Sequence, residues 1–510
     1  MKKEDIFDAI GLADDRLLAR SEKHSRSNLR RITAIAAAAC VLVVCCFAFL
    51  PMAFRKEEAP AEQGGYTGHA EGSEYMIYHG PVLPLTSSEQ TALTAERSVT
   101  YDFSPYVMHT ITEGELSFEG IETAANVTDS YIITNPTDGE ITALLSYPFV
   151  SSYRELSEEA PTITVDDRPA EVHRSAGAYS GGFVGIYGSE NYETETYNLA
   201  PANSWEDYAA LLQQLRDLED SRDELPLPDE KLTVYEFTDF SAPEDAEDGA
   251  TVAVDFYVDK DQKLFSYNTN GLSWDDETGW IQYSTFLPRK NCARPQESIL
   301  FAVTGGGIGK YSMQGYDNGS CEDNVKNDAI SAKIISYETT LEKLLGRLIA
   351  ELCGVQGWED APQELFRHSS AELLLSHSAL SDEPKDRYAD SPDTRLFEIM
   401  QEAFSMERIF YDNFSVTIPA GGSVSVCAEL RQNGSFDYEP AAENADIYGY
   451  DLLTKTDFLS ITSAKASISD HDAVEIARQN YGFDLKNGVR DVSLDLSVPH
   501  YYIEVRKITE

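Results

Sequence analysis

Hydrophobic residues form one uninterrupted stretch near the start of the chain, ITAIAAAACVLVVCCFAFLPMAF at residues 32–54, without a single charge. As a helix rising 1.5 Å per residue it would be about 35 Å long, enough to cross roughly 30 Å of bilayer hydrocarbon. A buried core helix of that length usually has a polar face, which this stretch lacks. The pattern therefore predicts one N-terminal transmembrane helix.

Apolar and polar residues alternate as in β-strands in several segments after residue 98. Two strands are predicted around the turn at residues 135–139, and another hairpin around residues 419–422. The segment TITVDDRPAEV predicts a hairpin around residues 166–169, and further strands are predicted between about residues 233 and 316. These segments are typical of an immunoglobulin-like β-sandwich.

Other segments have apolar residues at helical spacing. Helices are predicted at residues 338–353, 370–380 and 394–412, and SWEDYAALLQQLRDL predicts a helix capped by Ser204. Near the end of the chain, HDAVEIARQNYG predicts a helix and PHYYIEVRKI a strand.

The predicted fold class is one N-terminal transmembrane helix plus an α+β ectodomain, with immunoglobulin-like β-sandwich elements and inserted strands and helices. The similar hairpins near residues 141 and 420 favour a discontinuous sandwich, and consecutive domains are the alternative. The predicted boundaries are a cytoplasmic tail at 1–31, the transmembrane helix at 32–54, a linker at 55–97, the first sandwich part at 98–200, a strand-rich module at 201–335, a helical segment at 336–412, and the second sandwich part with a C-terminal helix and strand at 413–510.

Charge asymmetry around residues 32–54 predicts the orientation in the membrane. Six cations lie close before the stretch, namely Arg16, Arg20, Lys23, Arg26, Arg30 and Arg31. After Arg55 and Lys56, no Lys or Arg follows before Arg97. Because basic flanks stay in the cytoplasm, we expect a single-pass cell-membrane protein with a cytoplasmic N-terminus and an extracytoplasmic C-terminal part. A cleavable signal peptide is the alternative, although its apolar core would be only 7–15 residues.

The rest of the chain is strongly acidic. The whole sequence has a net charge of −47, and the residues after 55 contain 31 Lys or Arg against 81 Asp or Glu. This charge disfavours nucleic acid and anionic lipid as partners. Four cysteines follow residue 55, at Cys292, Cys321, Cys353 and Cys427. They permit two disulfides in three pairings, or free thiols.

The N-terminal tail has an apolar face at helical spacing, formed by Ile6, Phe7, Ile10 and Leu17. One interpretation of this face is a helix that binds a cytoplasmic protein partner. The other, which the sequence favours, is a juxtamembrane tail that only sets topology.

A resemblance follows from the run DIFDAIGLADDRLLARSE, the basic stretch after it and the span rich in Ala, Cys and Val. These residues resemble the N-terminal part of single-pass membrane proteins of clostridia-like bacteria, whose layout is similar to that of membrane-bound anti-sigma factors. Zinc-type anti-sigma factors have a His and paired Cys in the cytoplasmic part. This tail has His24 but no Cys before the span, so that mechanism is not implied.

Candidate chemistry is sparse, and no catalytic residue, cofactor site or metal site is predicted. The segment TGGGIGKYS at 304–312 departs from a phosphate loop at both ends, which favours a glycine turn. A loop containing Gln314, Tyr316, Asp317, Asn318, Cys321 and Glu322 is a possible functional loop, with a tight Asn-Gly turn as the alternative. Trp274 and Trp280 are a possible aromatic platform for a ligand, although most tryptophans belong to cores.

The sequence favours a membrane-anchored extracytoplasmic protein that acts in binding, sensing or regulation, with an unknown extracellular ligand. The alternatives are a membrane-tethered enzyme acting on glycans or peptides, and a structural envelope protein. No sequence motif identifies a reaction.

The predicted orientation has a direct test. Protease added to intact protoplasts should remove most of the chain and leave a fragment containing the tail and residues 32–54, because only the part beyond the membrane is accessible. Immunoblotting against a tag at the N-terminus measures the fragment. Full protection of the chain in intact protoplasts, with digestion only after lysis, would contradict the orientation.

Overall fold

A computed structural model describes residues 79–87, 90–104, 108–113, 116–121, 123–179, 230–244, 246, 249–288, 297–356, 358, 362–376, 391–436, 446–456, 458–469 and 473–508. The predicted tail, the stretch 32–54 and the predicted helix at 204–218 lie outside these residues. No helix within the described ranges is long and apolar enough to cross a membrane. All described residues belong to the unit Gly65–Glu510.

The predicted fold class is wrong in its balance of helix and strand. Strands make up 52% and helices 15%, so the fold is mostly β rather than α+β. No helix of the described residues supports the predicted transmembrane helix, and the stretch 32–54 lies outside them. Several sheets are present, and this β-rich architecture is compatible with the predicted β-sandwich. Helix was overpredicted because short apolar runs fit both periods, and pairing with neighbouring strands decided between them.

The strands and helices are named here in chain order. The first strands are β1 Thr86–Ser87, β2 Thr94–Asp102, β3 Met108–Glu113, β4 Leu116–Ile121, β5 Ala125–Thr134, β6 Ile141–Ser151, β7 Thr162–Val165, β8 Arg168–Pro169 and β9 His173–Tyr179. The middle strands are β10 Lys231–Ser241, β11 Thr251–Tyr257, β12 Leu264–Tyr267, β13 Gly271–Asp275, β14 Trp280–Phe286, β15 Leu300–Thr304, β16 Ser312–Tyr316, β17 Ser331–Thr340 and β18 Asp393–Arg395. The last strands are β19 Arg408–Ile418, β20 Ser423–Gln432, β21 Ile447–Leu453, β22 Ser460–Ser469, β23 Val474–Gln479, β24 Asp491–Leu494 and β25 His500–Lys507. The helices are α1 Leu156–Glu159, α2 Leu341–Gln356, α3 Gln363–Ser376 and α4 Leu396–Ser405.

Two sheets form the large sandwich. One has the order β24-β22-β2-β5-β20-β7-β8 and the other β1-β6-β19-β9. Side chains from both sheets, among them Tyr131 and Ile133 of β5 and Leu145 of β6, belong to one buried core. The segments 127–149 and 414–430 therefore share one core, as predicted, because β5 pairs with β20 and β6 pairs with β19. Strand β1 and the start of β2 fall within the stretch predicted as linker.

The predicted hairpins near residues 141 and 420 are corners rather than hairpins. Strands β5 and β6 belong to different sheets, and so do β19 and β20. The two corners lie side by side, where Asn135 donates from Nδ2 to the carbonyls of Gly139 at 2.7 Å and Ile418 at 3.0 Å. A local alternation pattern cannot distinguish a corner from a hairpin, because both need a turn between two strands. The hairpin at residues 166–169 is confirmed by the pairing of β7 with β8.

A three-stranded sheet, β21-β25-β23, contains the end of the chain. The helix predicted at 471–482 is wrong, because residues 474–479 pair with β25 as an antiparallel strand. Val474 is buried there, and the two apolar residues Val474 and Ile476 alternate at the period of a strand. The predicted terminal strand is confirmed as β25.

A small sandwich is formed by the sheets β17-β10-β15-β12-β18 and β13-β14-β11-β16. The first of these sheets is buried on both faces. Phe301 and Val303 of β15 face the core between the two sheets, and Leu300 and Ala302 belong to the larger core. Residues from α2, α3 and α4 are part of that larger core, so helices cover the second face.

The three long helices differ in extent from the predicted segments. Helix α2 is close to its prediction, since its leucines recur at helical spacing and are buried. Helix α3 begins earlier than predicted. Helix α4 ends at Ser405, whereas the prediction extended to residue 412, because residues 408–418 pair with β6 along their whole length.

A buried ion pair lies between the sheets of the large sandwich. Arg97 of β2 donates to both carboxylate oxygens of Asp129 on β5, at 2.9 and 2.8 Å. Tyr131 and Tyr147 donate to Oδ2 of the same carboxylate, and Arg97 donates to the carbonyl of Leu453 at 2.5 Å. Burial opposes the charge of Arg97, but Asp129 more than offsets it and raises the pKa of the guanidinium.

Replacing Asp129 with Asn should destabilise the large sandwich by about 3–5 kcal/mol, because the change leaves the guanidinium of Arg97 buried without a counter-charge. Denaturant unfolding of the full chain measures the loss. The control is Asp239→Asn, which removes the exposed pair with Lys333 and should leave the unfolding midpoint unchanged. Equal effects of the two variants would contradict the role of the buried pair.

Candidate functional site

The outer face of the sheet β13-β14-β11-β16 is the candidate site. In these strands Val252, Val254 and Phe256 of β11 point into the small core, so the alternate residues point outward. The strand register sets the outward residues in four rows. These rows are Asp275–Trp280–Tyr257, Ser273–Gln282–Asp255–Ser312, Gly271–Ser284–Ala253–Gln314 and Phe286–Thr251–Tyr316.

Asp255 lies at the centre of this outer face. Trp280 donates from Nε1 to Oδ1 of Asp255 at 3.1 Å, and Gln282 donates from Nε2 to the same oxygen at 3.0 Å. Within the described ranges, no hydrogen bond from another side chain ends on Oδ2. The carboxylate is therefore held in one orientation with an oxygen able to accept a hydrogen from a ligand.

Exposed aromatic rings lie on either side of Asp255. Tyr257 is 62% exposed and is paired across the strands with the half-buried Trp280. Phe286, at the other end of the face, is 46% exposed. Large apolar rings exposed beside polar groups are a feature of binding surfaces.

The loop after β16 forms a wall at the Phe286 end of the face. A Cβ atom on Gly319 would lie 3.0 Å from the ring of Phe286, so the loop backbone packs against that ring. Cys321 has a positive φ of 51° and hydrogen-bonds with Ser284, which orients its side chain back over the sheet. The Tyr257 end has no such cover within the described ranges.

The predicted functional loop is an ordered turn, and part of it joins the outer face. Gln314 and Tyr316 are outward residues of β16, and Cys321 lies over Ser284. Asp317, Asn318 and Glu322 instead stabilise the turn. Asp317 accepts from Asn327 at 2.7 Å, Asn318 accepts from the amide of Ser320, and the carbonyl of Glu322 accepts from the amide of Val325.

The two tryptophans predicted as a platform do not share a surface. Trp274 pairs with Ile281 and packs against the small core, whereas Trp280 pairs with Asp275 and points outward. Successive side chains along a strand point to opposite faces of the sheet. Which face each tryptophan occupies therefore depends on how β13 and β14 pair, and the number of residues between the two tryptophans does not show that pairing. Only Trp280 contributes to the outer face.

The electrostatics favour binding over nucleophilic chemistry. Burial raises the pKa of the Cys321 thiol, the hydrogen bond with Ser284 lowers it, and the charge of Asp255 raises it further, so the net shift is upward. Burial also raises the pKa of Tyr316, with Cys321 adding to the effect. Both groups keep their protons at neutral pH, and a protonated thiol is a weak nucleophile.

Sequence reasoning missed Asp255, Tyr257, Gln282, Ser284 and Phe286. The alternation in TVAVDFY and WIQYSTF contained a usable signal, because polar or aromatic residues occupy every position between core residues except that of Ala253. What the sequence lacked was the strand order β13-β14-β11-β16, which places β16 and its loop beside β11.

The glycine turn at residues 304–309 agrees with its prediction. Gly305, Gly306 and Gly307 have φ values of 72°, 95° and 90°, which suit glycine, and the chain continues into β16 rather than into a helix. A phosphate loop needs a helix N-terminus after the glycines. Lys310 is exposed and has no such geometry around it.

Other predicted residues lie apart from the outer face or outside the described ranges. The tail residues Ile6, Phe7, Ile10 and Leu17, and the cysteine Cys292, are outside them. Cys321, Cys353 and Cys427 are free thiols, so these three do not pair with one another.

No protein-family model matches the chain, and no curated protein matches it significantly.

Neither the wild-type chain nor the variant Lys310→Ala should bind nucleotide, because the glycine turn leads into a strand. Equilibrium dialysis of the full chain against ATP with Mg²⁺ measures the binding. The wild-type chain is the control, and ATP affinity that depends on Lys310 would contradict this interpretation of the turn.

Proposed function

We propose that this protein binds an uncharged polysaccharide outside the cytoplasm, through the outer face of the small sandwich. The observation behind the proposal is a fixed carboxylate, Asp255, flanked by the rings of Tyr257 and Trp280 and by the amides of Gln282 and Gln314. It is a binding function, and no reaction is assigned to the site.

Sugar rings suit this combination of groups. One side of a pyranose presents C–H groups that pack on an aromatic ring, and its hydroxyls both donate and accept hydrogen bonds. Tyr257 supplies the most exposed ring on this face, and Asp255 supplies an acceptor beside it. Gln282 adds an amide on the row of Asp255, and Gln314 adds one on the next row. The Nε2 atom of Gln314 already donates to the carbonyl of Gly315 and to Asp328, so Oε1 is the atom that it offers to a ligand.

The charge of the face favours a neutral ligand over an anionic one. Asp255 and Asp275 point from the face, and Asp276 and Glu277 follow at the exposed turn after β13. The whole chain has a net charge of −47, which repels anionic polymers. Lys326 is the cation nearest in sequence to the loop after β16, and its charge is paired with that of Asp323.

A location outside the cytoplasm is part of the proposal. It is supported by the apolar stretch at residues 32–54, the cations before it and the acidic chain after it. Surface polysaccharides are available only on that side of the membrane.

The variant Tyr257→Ala should weaken binding of a neutral oligosaccharide by tenfold or more, which corresponds to about 1.4 kcal/mol. Loss of the exposed ring removes the packing surface for the sugar while leaving the core intact. The experiment screens the full chain in detergent against immobilised neutral and anionic polysaccharides and then measures affinity by calorimetry with the oligosaccharide of the best binder. Asp255→Asn should weaken the same binding.

The matched control is Phe458→Ala, which removes an aromatic ring that is 47% exposed but belongs to the large sandwich. It should bind like the wild type. Equal losses in Tyr257→Ala and Phe458→Ala would contradict the proposed face. Preference for an anionic polymer or for a basic peptide would contradict the proposed ligand class.

A further inference from the structure

Three chain segments that are far apart in sequence bring one imidazole and three carboxylates together in the large sandwich. A ring nitrogen of His79 and carboxylate oxygens of Glu155 and Glu159 all lie within 4.8 Å of one another. Glu407 adds a third carboxylate, whose Oε1 lies 2.9 Å from Nδ1 of His79. This group is called the His79 cluster below. It belongs to the large sandwich, and the outer face described above belongs to the small one.

The backbone around His79 is fixed by several contacts. The amide of His79 donates to Oγ of Ser435 at 3.1 Å, and Gln432 donates to the carbonyls of His79 and Gly80. Gly80 has a φ of 75°, and a Cβ there would lie 2.5 Å from Val150. Only glycine allows this close approach, and it holds the imidazole next to the end of β6.

The carboxylates are fixed by other segments. Glu155 precedes the single turn of α1, and Glu159 ends it, so a spacing of four residues places both on one side of the turn. Glu159 is buried, with 8% of its surface exposed. Ser151 donates to one of its oxygens at 2.7 Å and Asn433 donates to the other.

We propose that the His79 cluster is a site for a divalent transition-metal ion, and that Zn²⁺ is the ion it fits best, with His79, Glu155 and Glu159 as ligands. One imidazole nitrogen and two carboxylate oxygens form a mixed set that Zn²⁺ accepts, whereas Ca²⁺ and Mg²⁺ prefer oxygen ligands alone. Three protein ligands leave one tetrahedral position for water.

The distances require a modest closure around the ion. Zinc bonds of about 2.0–2.2 Å place tetrahedral ligand atoms roughly 3.4 Å apart, so the atoms must approach by up to about 1.4 Å. Glu155 is only half-buried, and rotation of its side chain supplies movement of that size.

Glu407 has the position of a supporting carboxylate. Metal-bound histidines usually donate their second ring N–H to a carboxylate, which fixes the ring and the tautomer. With Nδ1 donated to Glu407, Nε2 is the nitrogen that keeps a lone pair for a metal ion. This arrangement distinguishes the cluster from acidic groups that are close only because the surface is acidic.

The test is a calorimetric titration of the full chain with ZnCl₂ after treatment with a chelator. Excess MgCl₂ occupies loose sites among the many surface carboxylates. The wild type should bind one Zn²⁺ per chain with a rise in unfolding temperature, because binding to the native state stabilises it. His79→Gln and Glu159→Gln should each lose this binding, and Glu407→Gln should weaken it by about 10- to 100-fold with the stoichiometry unchanged.

The matched control is Glu158→Gln, an exposed glutamate on the same turn, which should bind like the wild type. Circular dichroism without metal checks that each variant folds, and Glu155→Gln replaces any buried variant that does not. Absence of one-to-one binding, or binding that survives His79→Gln, would overturn the proposal and show adventitious carboxylate binding only. Binding that Glu158→Gln weakens as much as Glu159→Gln would overturn it as well.

Discussion

The buried ion pair between Arg97 and Asp129 connects the two sheets of the large sandwich and the three-stranded sheet. Arg97 and Asp129 belong to the seven-stranded sheet, Tyr147 reaches the carboxylate from the facing sheet, and the carbonyl of Leu453 belongs to the three-stranded sheet. Neither charge could remain in this interior without the other, because an unpaired buried ion costs several kcal/mol. The guanidinium of Arg97 and the carboxylate of Asp129 have all these hydrogen-bond partners only when the three sheets are correctly placed. The pair therefore constrains how the sheets are arranged.

The two corners around residues 135–140 and 419–422 lie in a sandwich that has a long segment inserted between β9 and β19. Strands from before and after the insertion alternate, since β5 pairs with β20 and β6 pairs with β19. The side chain of Asn135 fastens the two corners through the carbonyls of Gly139 and Ile418. The strands on both sides of the insertion therefore belong to the same core.

Both proposed sites depend on residues that the fold brings together from distant segments. The outer face needs β16 next to β11, so that the loop after β16 covers Phe286 at one end and leaves Tyr257 open at the other. The His79 cluster needs the segment before β1, the turn after β6 and the residue before β19 at one point. The first site offers one fixed carboxylate with amides and aromatic rings around it, and the second offers an imidazole among carboxylates. The sites therefore suit different ligands, a sugar and a metal ion.

The sequence by itself determined the local elements wherever one period was unambiguous. The leucines of α2, the turn of Asp166 and Asp167, and the terminal strand β25 were all readable, because each depends on residues within one element. Residues 474–479 and 408–412 were assigned to helices and are strands, because pairing with β25 and β6 outweighed local preference. Only the tertiary structure decided that Trp274 and Trp280 face opposite sides, that two apparent hairpins are corners, and that His79 meets Glu155 and Glu159. These are questions of strand order and long-range pairing, and a chain records its periodicity locally but not which of its distant strands will be neighbours.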